Sequence, residues 1–221
     1  MRTKLNAILI VIFLSIGYVY SQDQPPFASD IQAFEKADSA HFPGKTEILF
    51  VGSSSFTKWK DVQDYFPGYP IINRGFGGST LEDVIRYADR IIFPYKPKQV
   101  VIYCGDNDIA YADTVSAETV YHRFLTLFTM IRKKMPGENI VFVAIKPSPS
   151  RASQRARQDQ ANQKIKSFLA KQSNAFYVDI VHPMIGPDGK PLASIFLSDS
   201  LHMNAKGYAI WKKAILPYLK K

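Results

Sequence analysis

Five short apolar runs, spread along the chain and separated by turns and helical segments, constrain the fold more than any other feature. They are Glu47 to Val51 (EILFV), Pro70 to Ile72, Gln99 to Tyr103 (QVVIY), Asn139 to Ile145 (NIVFVAI) and Ala175 to Val178 (AFYV). A strand buried on both faces reads as a continuous apolar run, whereas a half-exposed strand alternates. Between and after these runs lie Leu81 to Ile92, Ser116 to Lys134, Gln154 to Ala170 and Ala205 to Leu219, all with the apolar spacing of helices. Strand and helix in alternation imply a parallel sheet with helices on both faces, a three-layer α/β/α sandwich. All strand C-terminal ends then lie on one edge, where ligands bind in such folds.

A chain of 221 residues that is 46% hydrophobic and 21% charged can fill the core of one such domain. No repeat or shift of composition marks a second domain, and Gln22 to Lys45 reads as a leading arm or helix packed on the first. The single cysteine, Cys104, excludes an intramolecular disulfide and any multi-cysteine zinc or iron–sulfur site. A formal charge of +9 suits nucleic acid, an anionic surface or simple solubility equally well, so charge alone selects no partner.

The first residues read as a targeting segment. Arg2 and Lys4 precede the apolar run Ala7 to Tyr20 (AILIVIFLSIGYVY), which gives way to Ser21, Gln22 and a polar, proline-containing stretch. That order is a secretory signal peptide over residues 1–22, leaving 23–221 as the mature domain. The alternative is a retained anchor, although the run is shorter than the roughly 20 residues a spanning helix prefers. Cleavage near Gln22 removes Arg2 and Lys4 but no acid, and the formal charge falls from +9 to +7. One cysteine in an exported protein suits a bacterial envelope, so a periplasmic or secreted location is expected, with no membrane span after cleavage. Export also fits a nucleic-acid partner poorly.

Four segments could carry chemistry. Gly52-Ser53-Ser54-Ser55 follows the first strand and exposes a hydroxyl at the ligand-binding edge. Asn73-Arg74-Gly75-Phe76-Gly77-Gly78-Ser79-Thr80 follows the second, its glycines allowing close backbone approach. Gly105-Asp106-Asn107-Asp108 follows the third, and Asp199-Ser200-Leu201-His202-Met203-Asn204 lies near the C-terminus. Singly, each is ordinary punctuation. In this order they resemble the blocks of the SGNH/GDSL hydrolases, from about Glu47 to Tyr208, the stretch DSLHMNAKGY being the most specific. The resemblance implies a flavodoxin-like five-stranded sheet and a serine esterase, with Ser54 as nucleophile, Gly78 and Asn107 as oxyanion-hole donors, His202 as general base and Asp199 as its partner. It implies no cofactor and no metal. The family's Gly-Asp-Ser-Leu reads Gly52-Ser53-Ser54-Ser55 here, so three adjacent serines compete for the nucleophile's position.

These roles also make physical sense. A serine hydroxyl needs a neutral imidazole within hydrogen-bond reach. A spacing of three residues lets Asp199 and His202 meet on one turn. The Gly78 N–H, the Asn107 amide and the Ser54 N–H could converge on an oxyanion. The Gly-x-Ser-x-Gly elbow of the α/β-hydrolases is absent. A second Asp-x-x-His, Asp179 to His182, follows the fifth strand, and only the flanking residues favour Asp199 and His202. His122 reads as a helix-surface residue, His41 as structural and Cys104 as a small buried hydrophobe. The basic residues Arg151, Arg155, Arg157, Lys164 and Lys166 read as a solvated face. Lys146 to Arg151 could shape the acyl or alcohol pocket, and Trp59 either lines the site or packs a helix. The expected activity is removal of small acyl groups, acetyl or short-chain, from a small-molecule or glycan ester or a lipid ester through an acyl-enzyme. An O-acyltransferase or thioesterase with the same site, or a non-catalytic glycan- or lipid-binding protein, are the alternatives.

Overall fold

The computed structural model describes residues 24–44 and 47–221, so the apolar run Ala7 to Tyr20 and the expected cleavage point lie outside the described residues. Each apolar run forms a strand: β1 (Ile48–Gly52), β2 (Ile71–Gly75), β3 (Gln99–Tyr103), β4 (Asn139–Val143) and β5 (Ala175–Val178). All neighbours pair in parallel in the order β2-β1-β3-β4-β5. This is the flavodoxin-like order, whose switch point between β1 and β3 opens a crevice at the strand C-termini.

The helices are α1 (Ala28–Ala40), α2 (Ser54–Thr57), α3 (Val62–Tyr65), α4 (Leu81–Ile91), α5 (Asp106–Tyr111), α6 (Ala117–Lys134), α7 (Arg155–Leu169) and α8 (Ala205–Ile215). Alternate strand residues serve opposite faces. Leu49, Val51, Val100, Ile102, Ile140 and Phe142 pack with apolar residues of α1, α4, α6 and α7. Ile48, Phe50, Val101, Tyr103, Val141 and Val143 pack with Phe56, Trp59, Val62 and the Tyr208, Trp211 and Ile215 face of α8. Both faces of the sheet are therefore covered, the three-layer arrangement that the apolar runs require. Trp59 belongs to this second core: it is fully buried and stacks on Tyr208 at 4.7 Å.

The expected leading arm contains α1, which buries Ile31 and is pinned from outside by charge. Glu35 takes the Arg90 guanidinium at 2.6 Å, and Asp38 pairs with Arg74 while accepting from the Tyr95 hydroxyl at 2.5 Å. On α7 Lys164 and Lys166 are exposed, as expected, whereas Arg155 and Arg157 are half-buried. Arg157 donates to the carbonyls of Asp113 and Val115, and Lys164 pairs with Glu118 on α6 at 2.6 Å. Three boundaries also differ from expectation. β4 ends at Val143 rather than Ile145. β2 continues past Ile72 through polar Asn73 and Arg74 to Gly75. The last helix stops at Ile215, where Pro217 removes a donor and a short 3₁₀ turn takes over.

Candidate active site

Gly52 ends β1 at φ +140°, and a Cβ there would sit 1.9 Å from the Tyr103 carbonyl oxygen of β3. Only glycine fits, and the sharp exit turns the chain directly into α2 with Ser54 as its first residue. The three serines then part company. Ser53 is buried, and its hydroxyl accepts a hydrogen bond from Asn107 Nδ2 at 2.8 Å. Ser55 is buried against the second core, its hydroxyl without a hydrogen-bond partner among the described residues. Ser54 alone is partly exposed, and its Oγ lies 3.0 Å from His202 Nε2.

His202 reaches Ser54 from 148 residues away in sequence, on the loop before α8. Asn204 caps that helix by accepting from the Lys206 and Gly207 N–H groups, which fixes the loop's exit. Ser200 adopts a left-handed backbone (φ +55°), folding the loop so that Asp199 faces His202. Asp199 Oδ1 accepts from the backbone N–H groups of Leu201 and His202 at 3.0 and 2.9 Å, and Oδ2 meets His202 Nδ1 at 2.6 Å. Burial would push the Asp199 carboxyl up. The hydrogen bonds from the His202 ring and from the two backbone N–H groups outweigh it and hold the group well below the usual carboxylate range. A carboxylate fixed in this way holds the imidazole with Nδ1 protonated and Nε2 free to accept.

The second Asp-x-x-His repeats half of this geometry. Asp179 Oδ1 also accepts from the two following N–H groups, Val181 at 2.9 Å and His182 at 3.2 Å. Its carboxylate does not meet the His182 ring, and no serine is paired with that ring among the described residues. His122 pairs with Glu118 on the surface of α6 at 3.0 Å, and His41 is exposed beyond the end of α1. Cys104 is buried at the end of β3, where burial raises its thiol well above the ordinary range. Among the described residues, no group of three or more His, Cys, Asp or Glu side chains is placed to hold a metal ion.

The β2–α4 loop is fastened over β1. The Gly52 carbonyl accepts from Phe76 N–H at 2.9 Å and from the Ser79 hydroxyl at 3.2 Å. Gly78 takes φ +90°. Its carbonyl receives the Tyr111 hydroxyl at 2.9 Å, and a Cβ on it would approach that hydroxyl to 3.2 Å. The N–H groups of Ser54 and Gly78 donate to no other group among the described residues. Asn107 is more tightly engaged than an oxyanion donor needs to be: Nδ2 donates both to Ser53 Oγ and to the Ser79 carbonyl, at 2.8 and 3.1 Å. An amide nitrogen has two hydrogens. The Asn107 amide therefore reaches an incoming oxygen only by exchanging one of these partners.

Two neighbours of Asn107 were not legible as site residues. Asp108, its side chain fully buried, accepts the first N–H of α4 from Leu81 at 3.0 Å and the Arg123 guanidinium at 2.9 Å, tying the end of β3 to the Gly78 loop. Asp106 is buried against Lys146 at 3.3 Å and accepts from Gln158 Nε2 at 2.9 Å. The only sequence signal for either was a run of acids at a strand end.

A family model described as GDSL-like lipase/acylhydrolase matches residues 44–210. No curated protein matches the chain. Solved structures resemble it at low sequence identity. A Streptococcus pneumonia protein, named as a candidate platelet activating factor, has a TM-score of 0.75 at 19% identity, covering 87% of this chain and 92% of its own. A GDSL-like lipase from Bacteroides thetaiotaomicron gives 0.68 at 18%, covering 85% and 95%. A catalytic variant of an acetylxylan esterase from Geobacillus stearothermophilus gives 0.62 at 18%, covering 79% and 94%. At these identities the structural likeness speaks for the fold.

Proposed function

Since the chain belongs to the GDSL-like lipase/acylhydrolase family, we propose that it is an exported serine esterase that removes short acyl groups through an acyl-enzyme on Ser54. One observation carries the reading: Ser54 Oγ, His202 and Asp199 form a continuous relay with links of 3.0 and 2.6 Å at the C-terminal edge of the sheet. His202 Nε2 takes the Ser54 proton as Oγ bonds to the ester carbonyl carbon. The ester C=O pair moves onto oxygen, which the Ser54 and Gly78 N–H groups receive, with Asn107 joining by releasing Ser53. Collapse expels the alcohol, which takes the proton from His202. Water, deprotonated by the same imidazole, then frees the acid and restores Ser54.

A short acyl group suits the crowding at Gly78, where the Tyr111 hydroxyl and the Phe27 ring would stand 3.2 and 3.6 Å from a Cβ. The acetylxylan esterase neighbour is consistent with acetyl esters on glycans. Export rests on the order of residues 1–22, and no helix among the described residues is long and apolar enough to cross a membrane. The test is hydrolysis of p-nitrophenyl acetate and butyrate by the mature protein and by Ser54→Ala checked for folding. Acetate turnover that disappears in the folded variant is expected. Equal turnover by both proteins would overturn the reading.

A further inference from the structure

The loop after β4 is fastened to the candidate active site and lines a cavity that the relay does not use. Ser150 N–H donates to the Ser200 carbonyl at 3.1 Å, joining this loop to the turn between Asp199 and His202. Beside it lies a cavity of about 160 Å³ lined by Ser148, Arg151, Arg155, Gln158 and Lys190, among others. A larger one of about 730 Å³, with mainly apolar walls including Pro149, Pro187 and Leu192, shares Ala152, Lys190 and Pro191 with it. Neither is lined by Ser54 or His202.

The polar groups of the smaller cavity are poorly satisfied. Ser148 and Gln158 are 2% and 1% exposed, and Ser148 Oγ and Gln158 Oε1 have no hydrogen-bond partner among the described residues. Buried polar atoms are normally paired, so two such atoms beside one cavity call for a partner. Gln158 is held in place because its Nε2 donates to buried Asp106. Three cations line the same space. Arg151 and Lys190 make no ion pair among the described residues, while Arg155 spends only its Nε edge on Asp159, at 2.7 and 2.8 Å. The acids nearby are otherwise engaged or stand outside: Asp106 is paired with Lys146, and Asp188 lines the larger cavity while accepting from the Lys190 N–H.

We propose that this cavity is a subsite for a carboxylate-bearing sugar unit on the alcohol side of the ester, an inference that rests on the esterase reading above. The cations would hold the carboxylate, Arg151 through a forked pair of charge-assisted hydrogen bonds. The unpartnered Gln158 Oε1 is an acceptor: it repels a bare anion but receives a sugar hydroxyl, and the Ser148 hydroxyl can give or accept. That combination favours a hydroxylated carboxylate over a phosphate or a fatty acid. The side follows from the mechanism. His202 delivers its proton to the leaving alcohol, and the loop that lines the cavity is bonded to the Asp199–His202 loop through Ser150 and Ser200, whereas Gly78 and Tyr111 stand by the carbonyl oxygen and acyl group.

The test compares O-acetylated galacturonic acid with its methyl ester, which loses the charge and gains one methyl group, by acetate release from each with the mature protein. The acid is expected to have a kcat/KM about tenfold higher, and Arg151→Gln and Lys190→Gln should each bring the ratio toward one by lowering the value for the acid. Galacturonate should also bind folded Ser54→Ala in calorimetry, where no turnover is involved, and compete better than inorganic phosphate. Equal kcat/KM for acid and methyl ester, a preference that survives both substitutions, or stronger competition by phosphate overturns the proposal while leaving the esterase reading in place. Failure to hydrolyse p-nitrophenyl acetate overturns that reading instead, and galacturonate binding to Ser54→Ala then decides whether the cavity takes the sugar acid on its own.

Discussion

Replacing Asp108 by alanine tests how the fold holds the Gly78 loop. In the native protein this carboxylate has a fully buried side chain and joins two elements: it accepts the Leu81 N–H that opens α4, through both oxygens at 3.2 and 3.0 Å, and the Arg123 guanidinium at 2.9 Å. Alanine leaves the Leu81 N–H buried without an acceptor, a loss of about 1–3 kcal/mol. The larger penalty of about 3–5 kcal/mol for stranding a buried charge does not apply. Arg123 is partly exposed and retains Glu82 at 2.9 Å. The desolvation of the carboxylate, which raises its pKa, is also relieved. The net expectation is about 2 kcal/mol of lost stability, or about 4–8 °C in Tm for a domain of this size. Urea unfolding with an unchanged m-value measures it. Asp108→Asn, which keeps an acceptor for Leu81, should lose about half as much. At 25 °C, where the alanine variant is still folded, kcat for p-nitrophenyl acetate should fall by roughly tenfold because Gly78 is no longer held in register. Unchanged stability, or an asparagine variant as damaged as the alanine one, would refute the argument that Leu81 is the partner that matters.

The serine triplet gives a graded series. Ser54→Ala should cost about 10⁴–10⁶ in kcat, whereas Ser53→Ala removes one neutral hydrogen bond to Asn107 and should cost no more than about tenfold; an inactive but folded Ser53→Ala would contradict the register. Tyr111→Ala should raise the butyrate-to-acetate ratio of kcat/KM at least about tenfold by removing the wall beside Gly78, and Tyr111→Phe, which removes only the hydroxyl, should raise it less. An unaltered ratio in the alanine variant places the acyl chain elsewhere. Because the contacts of Asp199 hold its carboxyl low, it stays charged down to about pH 4. Asp199 should therefore contribute no ionisation to the kcat/KM profile above that pH, and an acid-side ionisation there that disappears in Asp199→Asn would show that it does. Asp108 works in the opposite sense on stability. Its raised folded-state value means the native protein keeps a proton that the unfolded chain releases above the ordinary 3.8, so the stability gap between wild type and Asp108→Asn should narrow as pH rises from there.

The sheet was readable because its strands are buried on both faces, which leaves an unbroken apolar run in QVVIY and NIVFV. The edge strand β2 was only half visible, since Asn73 and Arg74 carry polar side chains that bond to Phe56 and Tyr95 rather than face a second layer. Helices α2 and α3 span four residues each, too few for a periodic signal, and α5 hides inside a motif read as a loop. At the site, local spacing made Asp199 and His202 a pair but could not separate them from Asp179 and His182, because both segments close the same carboxylate-to-backbone turn. Only the long-range fold brings one of the two imidazoles to Ser54. The grip of Ser53 on Asn107 and the capping of α4 by Asp108 join segments 54 and 27 residues apart, and no local pattern encodes them.

The most direct measurement is to treat the mature protein with a fluorophosphonate, which traps an activated serine covalently, and to locate the adduct by peptide mass spectrometry. One phosphonyl group on Ser54, absent from His202→Ala treated for the same time, is the predicted result. An adduct on Ser53 or Ser55, or turnover of p-nitrophenyl acetate by a protein that accepts no label, would contradict the account.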